Sequence, residues 1–292
     1  MVRLNLAPCA LGEGPLWHRE TGEFVFTDIL NGTLYACTPG GAVRRLLKCC
    51  YQLGAFLFDQ AGNLLLMTES GVFRCPYGGD ESDFQLLWQV PMAPGERFND
   101  AICDPAGRVL AGTKTEENRD GSLWLFEYGQ PPRRLLEGLK ISNGMGFSLD
   151  GERFYHTDSG DRAIYYYTYN VSNGAISNRQ IAVLLNEPGA AVPDGMTLDA
   201  QGMLWTACWD GGCVRRYTSG GRLLEELPFP ARQVSSVAFG GSRLDTLLVT
   251  SAAIGSDGPD EGSVWLVKTA ACGLDEHRAA LPAPLQPDGM HV

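Results

Sequence analysis

Four polar residues stand at nearly one distance ahead of a repeated turn glycine. Asn99, Asn143 and Asp194 each lie eight residues before a glycine (Gly107, Gly151 and Gly202), and Glu13 lies nine before Gly22. Each opens an apolar run of strand type. Carboxylates and amides from several repeating units, aimed at one place, are costly to bury unless something compensates them. A bound cation is the natural compensation. Glu13, Asn143 and Asp194 offer only oxygen, which suits Ca²⁺, Mg²⁺ or Mn²⁺ and is acceptable to Zn²⁺. Three protein ligands leave positions for water and a substrate, the arrangement of metal-assisted hydrolysis. Taken singly, Glu13-Gly-Pro and Pro193-Asp-Gly are ordinary turn sequences. Their common phase makes them a candidate site.

That phase belongs to a repeat. Turn-plus-strand pieces recur around Gly22, Gly62, Gly107, Gly151, Gly202 and Gly241, at spacings of 40, 45, 44, 51 and 39 residues. Periods of about 40–50 residues with several short strands each are the signature of a propeller. Asp59, Asp104 and Asp199 each stand three residues before their glycine. Asp bonds the turn backbone and Gly accepts positive φ. Leu123-Trp-Leu-Phe-Glu-Tyr, Ala163-Ile-Tyr-Tyr-Tyr-Thr-Tyr and Val264-Trp-Leu-Val-Lys are rich in aromatic and β-branched residues, as strands are. No segment carries a capped helical period. The expected fold is all-β: a six-bladed β-propeller with four-stranded antiparallel blades, one domain over residues 1–292. A pair of β-sandwiches is the rival, and the even period favours the propeller. The first strand of each blade lines the axis, so residues of equal phase meet there.

Composition narrows the function. The 292 residues carry a formal net charge of −11, spread along the chain, which disfavours nucleic acid and anionic membranes as partners. Glycine (36) and proline (17) are scattered, as turns between many strands require. The nine cysteines include no Cys-x-x-Cys pair, so neither a zinc ribbon nor a disulfide framework is expected. The N-terminus has no long apolar run. A cytoplasmic protein with free, buried thiols is expected, as a monomer or weak homo-oligomer. There is no Gly-x-Ser-x-Gly elbow, His-Glu-x-x-His helix or phosphate-binding loop. His156 reads as a satisfied core histidine. The tryptophans read as blade packing, with Trp17 and Trp209 the candidates for the pocket mouth.

Leu11-Gly-Glu-Gly-Pro-Leu-Trp17, Arg97-Phe-Asn-Asp100, Asp104-Pro-Ala-Gly-Arg108, Ala111-Gly-Thr113, Glu116-Glu117, Ser142-Asn-Gly144, Tyr155-His-Thr-Asp158 and Pro193-Asp-Gly195 follow one another in that order. Over nearly the whole chain this set resembles the family of senescence marker protein 30 (regucalcin), bacterial gluconolactonases and luciferin-regenerating enzyme. The resemblance implies a six-bladed propeller holding one divalent cation, with Glu13, Asn143 and Asp194 as ligands. It implies Asp194 as catalytic acid/base and Arg97, Asn99 and Glu117 as substrate contacts. It also implies hydrolysis of a small sugar lactone, calcium being the first expectation for the metal. The sixth repeat, Gln233-Val-Ser-Ser-Val-Ala-Phe, and the loop after Ser251 depart from the pattern, in regions that shape a pocket. Two alternatives stay open: a metal-dependent hydrolase of other esters, non-sugar lactones or phosphotriesters, and a non-catalytic propeller that binds calcium or a protein.

Overall fold

Six four-stranded antiparallel sheets make up the structure, a computed structural model that describes residues 1–115, 121–187, 189 and 191–282. Their inner strands are Gly12–His18, Leu53–Phe58, Arg97–Cys103, Ser142–Phe147, Val192–Leu198 and Val234–Gly240, here numbered as blades 1 to 6. In blades 1 to 5 the strands follow one another outward in chain order. Blade 6 is shared between the two ends of the chain. Val234–Gly240, Thr246–Ser251 and Trp265–Lys268 form three strands, and Val2–Arg3 adds the fourth, with Val2 opposite Leu266 and Arg3 opposite Trp265. The ring is thus closed by the N-terminus. Closure leaves only short outer edges exposed to stray pairing.

The expected turn chemistry is present. All six repeat glycines have positive φ, from +65° at Gly22 to +85° at Gly241. Asp59, Asp104 and Asp199 accept backbone N–H groups two and four residues on, at 2.7–3.0 Å. Each is fully buried and paired with an arginine: Asp59 with Arg74, Asp104 with Arg108, Asp199 with Arg216. Removing one partner of such a pair strands a buried charge and costs about 3–5 kcal/mol.

The core lies between neighbouring blades. Val25, Leu34 and Leu47 of blade 1 pack on Phe56, Leu64 and Leu66 of blade 2, and blades 5 and 6 meet through Trp205, Val214, Val237 and Trp265. The alternating strand period delivers one set of side chains to each face, so every sheet is covered on both sides. His156 is buried within blade 4, its Nε2 2.8 Å from Ser142 Oγ. Burial holds its imidazole neutral, pushing the pKa down to about 3. It is a core histidine, as expected, but only half satisfied: its Nδ1 is buried without a hydrogen-bond partner.

Past blade 6 the chain turns back across the face where the inner strands end. Ala200 N donates to Cys272 O (2.7 Å), Gly273 N to Leu244 O (2.8 Å), Gln60 N to Ala279 O (3.0 Å) and Ala280 N to Gly107 O (2.8 Å). This strap therefore ties the turns of blades 2, 3, 5 and 6 together beneath the axis.

Candidate active site

All six inner strands break register near their first residues. Bulges fall between Glu13 and Leu16, Leu53 and Ala55, Phe98 and Asp100, Asn143 and Met145, Pro193 and Met196, and Val234 and Ser236. A bulge re-aims side chains and sharpens the local twist. Glycines at these places let the strands crowd the axis. A Cβ on Gly54 would lie 1.9 Å from Phe98 O, and one on Gly144 would lie 2.5 Å from Asp194 O. The polar residues are carried on this ring of bulges. Glu13 and Asn143 occupy the paired position before the break, opposite Thr27 and Thr157, while Asn99 and Asp194 lie within it. Counting from the turn glycine therefore finds the right height but misses this one-residue offset.

Blades 3, 4 and 5 are joined by a chain of hydrogen bonds. Arg97 Nη1 donates to Asn99 Oδ1 (2.7 Å) and Phe98 O (2.9 Å). Asn99 Nδ2 donates to Asn143 Oδ1 and to Ser142 O, both at 2.9 Å. Asn143 Nδ2 donates to Ser159 Oγ (2.8 Å), and Ser159 Oγ donates to the carbonyl of Pro193 (2.7 Å), the residue before Asp194. Arg97, Asn99, Asn143, Asp194 and Glu13 are all at least nine-tenths buried. Asp194 Oδ1 is buried with no hydrogen-bond partner.

The electrostatics agree with this crowding. Burial, then the charges of Asp194 and Asp100, push the Glu13 carboxyl well above its ordinary range; Arg97 and the Gly14 N–H oppose them. Burial and Asp100 do the same to Asp194, against Lys114, the Gly195 N–H and Arg97. Acids buried this close resist sharing full ionisation without a counter-charge. The donor set fits a hard cation: two carboxylates, an amide oxygen with a lone pair to spare, and an orphaned Asp194 Oδ1. No cluster of three or more His, Cys, Asp or Glu with metal-holding geometry occurs among the described residues; the set here has two carboxylates and an amide.

Five of the six residues named from sequence thus come together. Glu117 lies outside the described residues. Trp209 packs beside Leu11, Ile29 and Ala252 at the cluster end of the inner strands. Trp17 does not flank that end. It sits near the other end of its strand, four residues beyond Glu13, where it lines the axial cavity, its ring 4.9 Å from that of Phe24.

Sequence reasoning missed three participants. Ser159 occupies a short 3₁₀ turn after the Tyr155-His-Thr-Asp158 run, where nothing in its spacing marks it. Asp100 adjoins Asn99 and lines a cavity of about 360 Å³ that continues down the axis, walled by Leu57, Met145, Met196 and Val237 and ended by the strap's Glu276. Asp100 is half-buried and Glu276 reaches solvent from the strap; the protein mass around the axis desolvates both carboxylates and raises each to about 7, eased by hydrogen bonds from the Ala101 N–H and from Thr197. Glu13, Asn99, Asn143 and Asp194 are not among the walls of this cavity; they stand one or two residues above it on the same strands.

Residues 11–253 match the family model described as the SMP-30/Gluconolactonase/LRE-like region. The pentonolactonase XacC of Haloferax volcanii is 36% identical over 96% of this chain and 98% of its own. The 6-deoxy-6-sulfogluconolactonase of Pseudomonas putida is 32% identical over 84% of each chain. Among solved structures, a calcium-binding regucalcin from Agrobacterium tumefaciens superposes with a TM-score of 0.89 at 24% identity, over 96% of this chain and 98% of that one. At that identity the likeness speaks for the fold alone.

Proposed function

We propose, from the premise that the chain belongs to the SMP-30/gluconolactonase/LRE-like family, that it hydrolyses a small sugar lactone to the free aldonic acid with the help of one divalent cation. What supports the proposal is that Glu13, Asn143 and Asp194 are buried at one height on the bulge ring, with the Glu13 carboxyl under the influence of the Asp194 charge and Asp194 Oδ1 unpartnered. Two relatives named as sugar lactonases support the substrate class.

Glu13, Asn143 and Asp194 would hold the ion. When bound, the cation would supply the compensating charge and a Lewis acid for the lactone carbonyl. Asp194 takes the proton from the attacking water and returns it to the ring oxygen as that oxygen leaves. Asn99 is held from both sides: Arg97 donates to its Oδ1, and its Nδ2 is committed to blade 4. It therefore presents fixed polarity to sugar hydroxyls. Arg97 lies beside it with a planar set of donors. Glu117 is the third proposed contact to the sugar. The bond that breaks is the acyl carbon–ring oxygen bond, and water supplies the new hydroxyl.

The test is acid release from a panel of aldonolactones, followed at constant pH. Chelator-treated enzyme should be inactive, and Ca²⁺, Zn²⁺, Mg²⁺ or Mn²⁺, added in turn, should restore turnover to different extents. Full activity after chelation would remove the cation from the reading. Metal binding without release of acid from any lactone would remove the reaction.

A further inference from the structure

Blade 5 turns at its cluster end through Trp209-Asp210-Gly211-Gly212, and the residues flanking that turn are both cysteines. Cys208 and Cys213 are direct partners across the antiparallel ladder. Opposed residues in such a pair have Cα atoms about 4.5–5.5 Å apart, within the span of about 4.4–6.8 Å that a disulfide bridges. Both are free thiols and both are buried. No other two cysteines among the described residues face each other across a ladder.

The environment distinguishes the two sulfurs. Each sulfur perturbs the other across the ladder, raising the Cys208 thiol and lowering that of Cys213. Arg215, two residues beyond Cys213 and so on the same face of its strand, also favours the Cys213 thiolate. Cys213 is thus the better placed of the two to attack, and Cys208, directly opposite it on the ladder, is the resolving thiol. The turn residues Trp209 to Gly212 are partly or fully exposed, so a small oxidant has only a short path to the pair.

We propose that Cys208 and Cys213 are a redox modification site, closing to an intrachain disulfide on exposure to a peroxide. Cys213 sulfur attacks a peroxide oxygen and becomes a sulfenic acid as the O–O bond breaks and, with hydrogen peroxide, water leaves. Cys208 sulfur then attacks the sulfenic sulfur; its thiol proton joins the departing hydroxyl as a second water. Two thiols lose two electrons and one peroxide gains them. A thiol reductant reverses the change. The bond would brace the strand that supports the acid, because Cys208 is also the cross-strand partner of Pro193, which precedes Asp194. The inference stands independently of the hydrolytic reading.

The experiment exposes the full chain to hydrogen peroxide in slight excess, blocks remaining thiols under denaturing conditions with iodoacetamide, and maps the digest by mass. The expected product is a Cys208–Cys213 linked species about 2 Da lighter than the dithiol form, absent after dithiothreitol. Cys213→Ser should abolish it and leave Cys208 alkylated; Cys208→Ala is the second variant should the first fail to fold. The exposed Cys50 serves as the control for access of the oxidant, although Glu81 raises its thiol. Peroxide that oxidises Cys50 while leaving Cys208 and Cys213 both alkylated, or that takes either to a sulfinic acid without linkage, overturns the proposal.

Discussion

Two opposite pressures act on Asp194. Burial and Asp100 favour its protonated form, whereas Lys114, Arg97 and the Gly195 N–H favour the carboxylate. A cation beside one oxygen would add to the second group, so a ligand that is also a base needs the first. Asp194→Asn keeps the shape and one oxygen but cannot take a proton. Its lactone hydrolysis should fall about 10²–10⁴-fold, with the thermal unfolding midpoint near that of the parent; unchanged acid release would exclude Asp194 as the base. Asp100 and Glu276 make a separate prediction about stability. Both are raised to about 7, so the folded chain holds protons that ordinary carboxyls lose near pH ~4; Asp100 carries most of this, because Glu276 reaches water from the strap and is screened there. Their contribution is complete below that pH and is lost as pH rises toward 7. His156 acts oppositely: held neutral down to about 3, it contributes stability lost as pH falls below about 6.5. The diagnostic is therefore a difference. In metal-free protein between pH 5 and 7.5, wild type should lose stability with rising pH relative to the Asp100→Asn/Glu276→Gln double variant, and parallel curves would refute the assignment.

At the scale of the element, the bulged inner strand is the device that makes a site out of a blade. It needs close approach, and Gly54 is where this is tightest. A methyl there would lie 1.9 Å from Phe98 O and 3.3 Å from Asn99 N, so the clash falls on backbone that cannot move aside as a flexible side chain would. Gly54→Ala should destabilise by about 1–3 kcal/mol in urea unfolding and should reduce turnover by displacing Asn99. Preserved stability would mean that blade 2 can slide outward. These strands also show what was legible beforehand. The six turns could be counted because each Gly takes positive φ and, in three of them, Asp59, Asp104 and Asp199 bind their own backbone. Glu13, Asn99, Asn143 and Asp194 were legible because the repeat converts sequence phase into height. The bulge offset was not, since it depends on which neighbour crowds the axis. Ser159 was not either: its role comes from meeting Pro193 of another blade, a contact no local pattern encodes.

The whole molecule is a ring held shut at two places. Val2–Arg3 completes blade 6 at the rim, and the strap from Cys272 to Pro282 crosses the axis beneath the channel. The strap binds largely through its backbone, with Ala279 alone fully buried in the seam between blades 2 and 3. It therefore lacks the apolar period that marks strands and passes unnoticed in the sequence. Its energetic weight follows from its partners. It supplies hydrogen bonds to Ala200, Leu244, Phe58, Gln60 and Gly107, and its Pro282 carbonyl accepts from Arg74 Nη1 at 2.8 Å, steadying the arginine that neutralises Asp59. At about 1 kcal/mol for each hydrogen bond, a chain ending at Ala271 should lose several kcal/mol, read as a lower unfolding midpoint. The channel should change too. With Glu276 gone and the lower end open to water, burial no longer presses on Asp100, and its pKa should move back toward the ordinary carboxyl range. The truncated chain should then show a flatter pH dependence of stability over pH 5–7.5 than the full-length Glu276→Gln variant, which lacks the same carboxyl. A lowered midpoint with the slope of Glu276→Gln would mean that the strap fastens the blades without sealing the axis, and that the environment of Asp100 is set by the inner strands alone.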